Sequence, residues 1–221
     1  IPVILAREQT PHEDIGDTFQ APKVTVDLNI HGGKQVHLDV ASLIVQSAKT
    51  GRVSYWLRGP QVVETRLDVP IAGSLHVTFD VRRYADGDAV TDVEFKNDYA
   101  FQSTGGPMFY DVKIANGKDV PFTASNVEQP QYTQWHKKIV SGNTTDVQEI
   151  FDLAALERTG AILDYDPNAS ASRLLLERAA RQLAAGKGFG ILGNADLQLY
   201  MPSTGGRGDI GPTTQANTLW L

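Results

Sequence analysis

Histidine is the most versatile side chain in acid, base and metal chemistry, and this chain has five: His12, His31, His37, His76 and His136. No pair stands four residues apart, the spacing that places two histidines on one face of a helix to hold zinc. His37 and His76 fall on the polar faces of predicted strands, where scattered polar side chains are mostly structural. The chain has no cysteine, which excludes disulfides, thiolate metal ligands and thiol catalysis. We therefore expect no metal site, no cofactor and no catalytic residue in this segment.

Two short stretches bring carboxylates close together, Asp86–Asp88 and Asp164–Asp166. Calcium takes about six or more oxygen ligands, and neither stretch has the regular acidic loop with a distant glutamate that supplies them. Aspartate beside glycine commonly hydrogen bonds its own backbone in a tight turn. Turn chemistry is therefore the preferred interpretation of both stretches.

A third candidate for chemistry is the glycine-rich stretch Gly186–Gly193. A phosphate-binding loop follows a strand and ends in lysine with serine or threonine. This stretch follows a predicted helix and lacks that ending. It is therefore interpreted as a flexible or closely packed loop.

Aromatic side chains of the predicted β region are the candidates for binding, because their rings stack on sugars and fill interfaces as well as cores. Trp56 stands between Tyr55 and Leu57, which alternation places on the inward face. Trp56 should therefore point outward, beside Arg58. We take Trp56 and Arg58, with Tyr84, as candidate contacts for a partner chain or a glycan.

The strands that position these residues are organised around residues 74–97. Leu75, Val77 and Phe79 alternate with polar residues, a turn follows at Asp86–Asp88, and alternation then resumes. Two alternating runs joined by a glycine-containing turn predict an antiparallel hairpin. One face of that hairpin is apolar, so a second sheet must cover it.

Similar runs on both sides give about eight or nine short strands between residues 22 and 140, a regular spacing typical of a sandwich or barrel. Val36–Val40 form one of them, and Leu43–Val45 either extend that strand or cross to the other sheet. Ser125–Pro130 are expected to form a polar linker. The fold class we expect is mainly β, an antiparallel β-sandwich followed by a smaller helical segment.

After residue 140 the apolar residues recur at helical spacing. Asp146–Glu149 have the pattern of a capping box, and residues 173–186 form a helical run that stops at a glycine. The domains we expect are a β-sandwich over residues 1–140 and a helical segment over residues 141–221 that begins a further domain. The start lacks an initiator methionine and the end stops within an apolar stretch, so both ends are expected to be cut from a longer chain.

Composition narrows the classes of partner. At 221 residues, with 41% hydrophobic and 21% charged residues, the chain can bury a sizeable core. Its formal net charge is −6 and its lysines and arginines are scattered, which argues against the clustered cations of a nucleic-acid groove. No run approaches the roughly 18 apolar residues of a membrane helix. We therefore expect neither nucleic-acid binding nor membrane insertion.

Five short motifs carry a resemblance to known proteins: Trp135–Lys137, Asp152–Leu153, Thr159–Ile162, Asp164–Asp166 and Asp209–Pro212. In these motifs the chain resembles the front part of long bacterial and phage proteins in which a β-sandwich precedes a helical toroid. Some of those proteins look related to exo-acting rhamnogalacturonan lyases, and others look like phage virion components. The resemblance implies that the toroid would lie almost wholly beyond Leu221. It places no catalytic residue of the lyases on this chain.

Two functions from different classes are compatible with these features. The preferred one is a non-catalytic structural or attachment module of a larger phage virion protein, in a tail, collar or fibre, whose partners are other protein subunits. The alternative is the N-terminal β-sandwich of a carbohydrate-active enzyme, a polysaccharide lyase or hydrolase, or a carbohydrate-binding module with a glycan as ligand. Both interpretations place the chain in a virion or outside the cell.

Overall fold

The computed structural model describes residues 19–100, 105–143, 152–162, 172–186, 188 and 190–193. It confirms the expected fold class, since two antiparallel sheets form a sandwich-like body and short helices lie near the C-terminus. The chain divides into two compact units, Ile1–Thr145 and Asp146–Leu221. Several sequence predictions lie outside the described residues, namely those for His12, Asp146–Glu149, Asp164–Asp166, Asp209–Pro212 and part of Gly186–Gly193.

The first unit contains both sheets. Its strands are β1 (Val24–Ile30), β2 (Gln35–Asp39), β3 (Ser54–Arg58), β4 (Val62–Ala72), β5 (Leu75–Tyr84), β6 (Ala89–Asn97), β7 (Met108–Asn116), β8 (Asp119–Gln129) and β9 (Thr133–Ser141). One sheet has four strands in the order β2-β1-β7-β8, and the other has five in the order β3-β4-β5-β6-β9. All neighbouring strands are antiparallel.

The central hairpin, β5 with β6, follows the alternation seen in the sequence. Leu75 and Phe79 are fully buried, and the residues between them on the opposite face are polar. At the turn, the Asp88 amide donates to the Asp86 carboxylate at 3.0 Å. Gly87 has a φ of 93°, a conformation that a side chain would strain. The interpretation of this stretch as turn chemistry is confirmed.

Polar side chains cross the core between the two sheets, and they hydrogen bond one another. Tyr110 of β7 donates its hydroxyl to Gln129 of β8 at 2.6 Å and accepts from the indole of Trp135 of β9 at 2.7 Å. Trp135 also stacks on Phe95 of β6, with ring centroids 4.1 Å apart. Burial raises the pKa of the Tyr110 hydroxyl, which keeps it a donor. Because these residues come from both sheets, their contacts fix how the sheets pack.

A helix follows β2 where the sequence predicted a longer strand or a crossing to the other sheet. Helix α1 spans Val40–Lys49. The Asp39 carboxylate caps it by accepting from the Ser42 amide at 2.8 Å. Val40 and Ile44, four residues apart, are buried on one face. The strand prediction is wrong because Val40 continues the alternation of β2 and is also the first residue of the helix.

Strand β8 takes the place of the polar linker expected at Ser125–Pro130. The strand continues to Gln129, and its register against β7 shifts between Tyr110 and Val112. In this bulge Asn126 has a φ of 55°. The extra residues interrupt the alternation of the strand, which is why a linker was the wrong prediction.

The second unit contributes two described helices. Helix α2 spans Leu153–Arg158, and the Asp152 carboxylate caps it by accepting from the Ala155 amide at 3.0 Å. Helix α3 spans Arg173–Ala184, and Gly186 follows it with a φ of 65°. The predicted helix and its glycine stop are confirmed.

Candidate functional site

The candidate binding residue Trp56 lies on β3, an edge strand of the five-stranded sheet. Trp56 is 64% exposed, which confirms the outward orientation predicted from alternation. The register of β3 against β4 shifts between Tyr55 and Leu57, so Trp56 occupies a bulge. For that reason Leu57, which was expected to point inward, is 48% exposed and the expectation is corrected. We define the β3 edge patch as Trp56, Leu57 and Arg58.

A neighbouring arginine covers part of the Trp56 indole. The Arg66 guanidinium lies 5.4 Å from the centroid of the Trp56 ring, the arrangement of a cation–π contact. Arg66 also donates two hydrogen bonds to Asp80, at 2.7 and 2.5 Å. The hydrogen bond to Asp80 raises the pKa of Arg66 although partial burial opposes it. A charged side chain, itself held by Asp80, therefore covers one face of the Trp56 ring.

The other two candidate residues are placed differently. Arg58 shares the edge strand with Trp56, and its guanidinium lies 5.0 Å from the ring of Tyr55. Tyr84 ends β5, two strands away in the same sheet. The hydrogen bond to Glu64, and a further one to Tyr84, raise the pKa of Arg82 against the effect of partial burial. Tyr84 therefore belongs to the outer face of the sheet and not to the β3 edge patch.

Ion pairs between neighbouring side chains fill the outer face of the five-stranded sheet. We define this paired face as Glu64, Arg66, Asp68, His76, Thr78, Asp80, Arg82, Asp92, Glu94, Lys96 and His136. Arg82 of β5 donates to Glu64 of β4 at 3.1 Å, and the His136 ring of β9 lies 2.8 Å from Asp92 of β6. A pair that water reaches contributes only about 0–1 kcal/mol. The pairs nevertheless satisfy each other's polar groups and leave few of them for a ligand.

His76 lies at the centre of a cluster on the paired face and is 6% exposed. Its Nδ1 lies 2.5 Å from Asp68 and its Nε2 lies 2.7 Å from Asp98. The ring stacks on Tyr99 with centroids 4.0 Å apart, and the Tyr99 hydroxyl donates to Asp68 at 2.7 Å. Both ring nitrogens already face carboxylates, so neither can serve a metal or a substrate without losing one of these bonds. The cluster is a structural cross-link.

The charges of this cluster shift two of its pKa values. Partial burial acts to raise the pKa of Asp68, but hydrogen bonds from His76, Tyr99 and Thr78 and the electrostatic interaction with His76 lower it below its usual value. Burial, the hydrogen bond to Asp68 and the charges of Asp68 and Asp98 raise the pKa of Tyr99 to about 12. The fold therefore favours the carboxylate form of Asp68 and the protonated form of Tyr99.

The outer face of the four-stranded sheet is also polar, but it holds an open groove with a volume of about 470 Å³. We define the groove by six lining residues from all four strands, namely Asp27, Asn29, His37, Asp111, Lys113 and Thr123. Asp27 of β1 stands opposite His37 of β2, and its Oδ1 lies 2.6 Å from the histidine Nδ1. Asp27 also stands opposite Lys113 of β7, which stands opposite Thr123 of β8. The groove therefore crosses the sheet from edge to edge.

Asp111 anchors one wall of the groove at the bulge of β8. Its carboxylate accepts from the Asn126 amide at 2.9 Å and from the Asn29 side chain at 3.1 Å, and it lies 3.2 Å from the His31 ring. The hydrogen bond from Asn126 lowers the pKa of Asp111, and those from Asn29 and His31 add to the effect. Asp111 therefore links β1, the first turn and β8 along this wall of the groove.

Spacing alone did not reveal that the histidines are paired with aspartates. In the described part of the chain His31, His37, His76 and His136 each lie within 3.2 Å of an aspartate oxygen. The pair in the first hairpin could have been found, because Asp27 stands opposite His37 once the turn is placed. The other pairs could not be found from spacing, because they require knowing which strands are neighbours in a sheet, or they join residues that stand diagonally across two strands.

Among the described residues, no group of three or more histidine, aspartate or glutamate side chains is arranged to hold a metal ion. None of the described helices is long and apolar enough to cross a membrane. Comparisons with protein-family models, with curated proteins and with solved structures give no match to this chain. The surfaces of the molecule are therefore the basis for its proposed function.

Proposed function

We propose that this chain is a non-catalytic assembly or attachment module of a larger phage virion protein, and that the β3 edge patch contacts a second copy of the chain. The observation that supports this most is the exposure of Trp56 and Leu57, 64% and 48%, side by side on an edge strand. Large apolar side chains at neighbouring exposed positions are typical of protein interfaces. The placement in a virion rests on the sequence resemblance alone.

Two other edge strands carry features that discourage pairing with another chain. Strand β8 contains Pro121, which cannot donate to a neighbouring strand. Strand β9 exposes Lys138 and the polar His136, and a charged side chain such as Lys138 protects an edge. Strand β3 also exposes Arg58, but it places an exposed indole and an exposed leucine side by side. This difference favours β3 as the contact.

Charge supports a second copy as the partner. Arg58 is exposed beside Trp56, whereas the chain as a whole has a formal net charge of −6. A basic and aromatic patch on an acidic protein complements an acidic surface of another copy.

The alternative, carbohydrate binding through Trp56, fits this geometry less well. A sugar ring stacks on the face of an indole, and Arg66 covers one of the two faces of the Trp56 ring. Leu57 beside it adds apolar area that a sugar hydroxyl does not use. The β3 edge patch therefore suits a protein surface better than it suits a sugar.

Sedimentation velocity of the 221-residue chain across a concentration series tests the contact. Wild type should associate reversibly, and Trp56→Ala should weaken the association by about tenfold or more, as truncation of a central interface tryptophan does. The matched control is Tyr132→Ala, because Tyr132 is 65% exposed between β8 and β9, and it should leave the association unchanged. A chain that stays monomeric at every concentration, and whose peptides are absent from purified phage particles, contradicts the proposal.

A further inference from the structure

The groove offers hydrogen-bonding groups that the fold itself does not use. His37 faces Asp27 through Nδ1, so its Nε2 and the Asp27 Oδ2 make no hydrogen bond within the described part of the chain. The Lys113 ammonium and the Thr123 hydroxyl also make no hydrogen bond or ion pair with any described residue. Donors and acceptors therefore stand next to one another on an open surface.

Charged groups of both signs line the groove. Asp27 and Asp111 contribute two carboxylates, Lys113 contributes one ammonium, and the His37 imidazole is hydrogen bonded to Asp27. An anionic ligand would meet two carboxylates, and a cationic ligand would meet the ammonium. A neutral ligand rich in hydroxyls avoids both penalties, because each hydroxyl can donate to a carboxylate and accept from the ammonium.

Size and shape agree with such a ligand. The groove volume of about 470 Å³ lies within the range of about 300–1,000 Å³ usual for small-molecule sites. The groove crosses four strands from β2 to β8, so it suits an extended chain of several units. We propose that the groove binds a neutral saccharide chain through hydrogen bonds to its hydroxyls. This proposal does not rest on the β3 edge patch, which belongs to the other sheet.

The paired face provides an internal control for this proposal. His136 and Asp92 there form a histidine–aspartate pair, with side chains 66% and 32% exposed, much like His37 and Asp27 at 62% and 46%. The cleft beside that pair has only about 230 Å³, and its charged groups include Glu64 and others already engaged in ion pairs. The two pairs therefore differ in the space and free groups around them.

An NMR titration of the ¹⁵N-labelled 221-residue chain tests the proposal. The probes are maltohexaose, cellohexaose, mannohexaose and xylohexaose, with an oligogalacturonate of equal length as the acidic comparison. At least one neutral probe should shift the amide signals of Asp27, Lys113 and Thr123. Lys113→Ala should then lower the affinity for that probe by about tenfold, and Asp92→Ala should change it by less than about twofold.

A second variant separates binding from folding. Asp27→Asn keeps the shape of the side chain and removes its charge, so it should also lower the affinity while the NMR spectrum stays that of the folded chain. The proposal is overturned if no neutral probe shifts the groove amides, or if only the oligogalacturonate does, which would make the groove an anion site. Equal loss of affinity in Asp92→Ala and Lys113→Ala also overturns it, because binding would then not depend on the groove.

Discussion

On the paired face, long charged side chains stand opposite one another, so that Glu64 meets Arg82 and Arg66 meets Asp80 across neighbouring strands. On the groove face the lining side chains are mostly short, and Lys113 has no charged partner among the described residues. Both faces carry histidine–aspartate pairs on antiparallel strands. Side-chain length and register, and not the histidine–aspartate pairs that both faces share, therefore decide which face is filled and which stays open.

The paired face therefore contributes to the stability of the fold, and the groove keeps polar groups available for binding. Polar groups that satisfy one another within the fold stabilise it and are lost to a ligand, whereas polar groups left in water contribute little to folding and remain free to bind. Variants of the paired face should therefore act on the free energy of unfolding. Variants of the groove side chains that make no hydrogen bond with another described residue, Lys113 and Thr123, should act on affinity and leave stability nearly unchanged.

The largest expected effect comes from removing the histidine at the centre of the paired face. His76→Ala deletes a buried ring that bridges two carboxylates and stacks on Tyr99, so it should lower the free energy of unfolding by about 2–3 kcal/mol. His37→Ala removes an exposed ring from the groove and should cost less than about 0.5 kcal/mol. Urea unfolding of both variants measures the difference. Equal losses would show that the two faces do not differ in this way.

Much of the frame that carries these faces could be predicted from the sequence. Alternation with period two gave the hairpins and the strand count, because each strand has one face in the core. It failed at Val40, which satisfies strand and helix spacing together, and at Ser125–Pro130, where a bulge interrupts the alternation of β8. At those places the local pattern has two solutions, and only packing against other strands selects one.

The candidate surfaces were predicted less completely. Trp56 was expected to be exposed because its neighbours alternate, but the exposure of Leu57 depends on a bulge that shifts the register by one residue. The groove could not be foreseen, since Lys113 and Thr123 reach Asp27 only through the order of the strands in the sheet. Strand order is set by contacts between distant parts of the chain, which spacing does not report.

Acid should weaken the paired face through Asp68. Its folded pKa lies below the unfolded value of 3.8, so the unfolded chain takes up the proton first as the pH falls. The stabilisation from Asp68 is complete well above that value and is lost as the pH falls through the lower folded pKa. Urea unfolding from about pH 6 to about pH 2 should show a fall in stability that is less steep in Asp68→Asn than in wild type.

The same measurement on Asp111→Asn tests a carboxylate of the groove. The Asn126 amide is the main cause of the lowered pKa of Asp111, so the free energy of unfolding of this variant should also depend less steeply on pH than that of wild type.

For Asp68, plots of the free energy of unfolding against pH that run parallel for wild type and Asp68→Asn would show that the Asp68 carboxylate is not held by His76 and Tyr99. The paired face would then lack the interaction that distinguishes it.

The smallest effect concerns Tyr99 and is visible only at high pH. Burial, the hydrogen bond to Asp68 and two nearby carboxylates raise its pKa from 10.0 to about 12. The fold thus holds the phenol proton more tightly than the unfolded chain does, and the stabilisation is present below pH 10.0 and lost as the pH rises towards about 12. Asp68→Asn removes one charge but leaves the ring partly buried, so the pKa of Tyr99 should return only part of the way, as ¹³C NMR of the labelled tyrosine ring can measure. If Tyr99 ionises near 10.0 in wild type, the ring is not enclosed by its carboxylates, and this end of the paired face is as open to water as the groove.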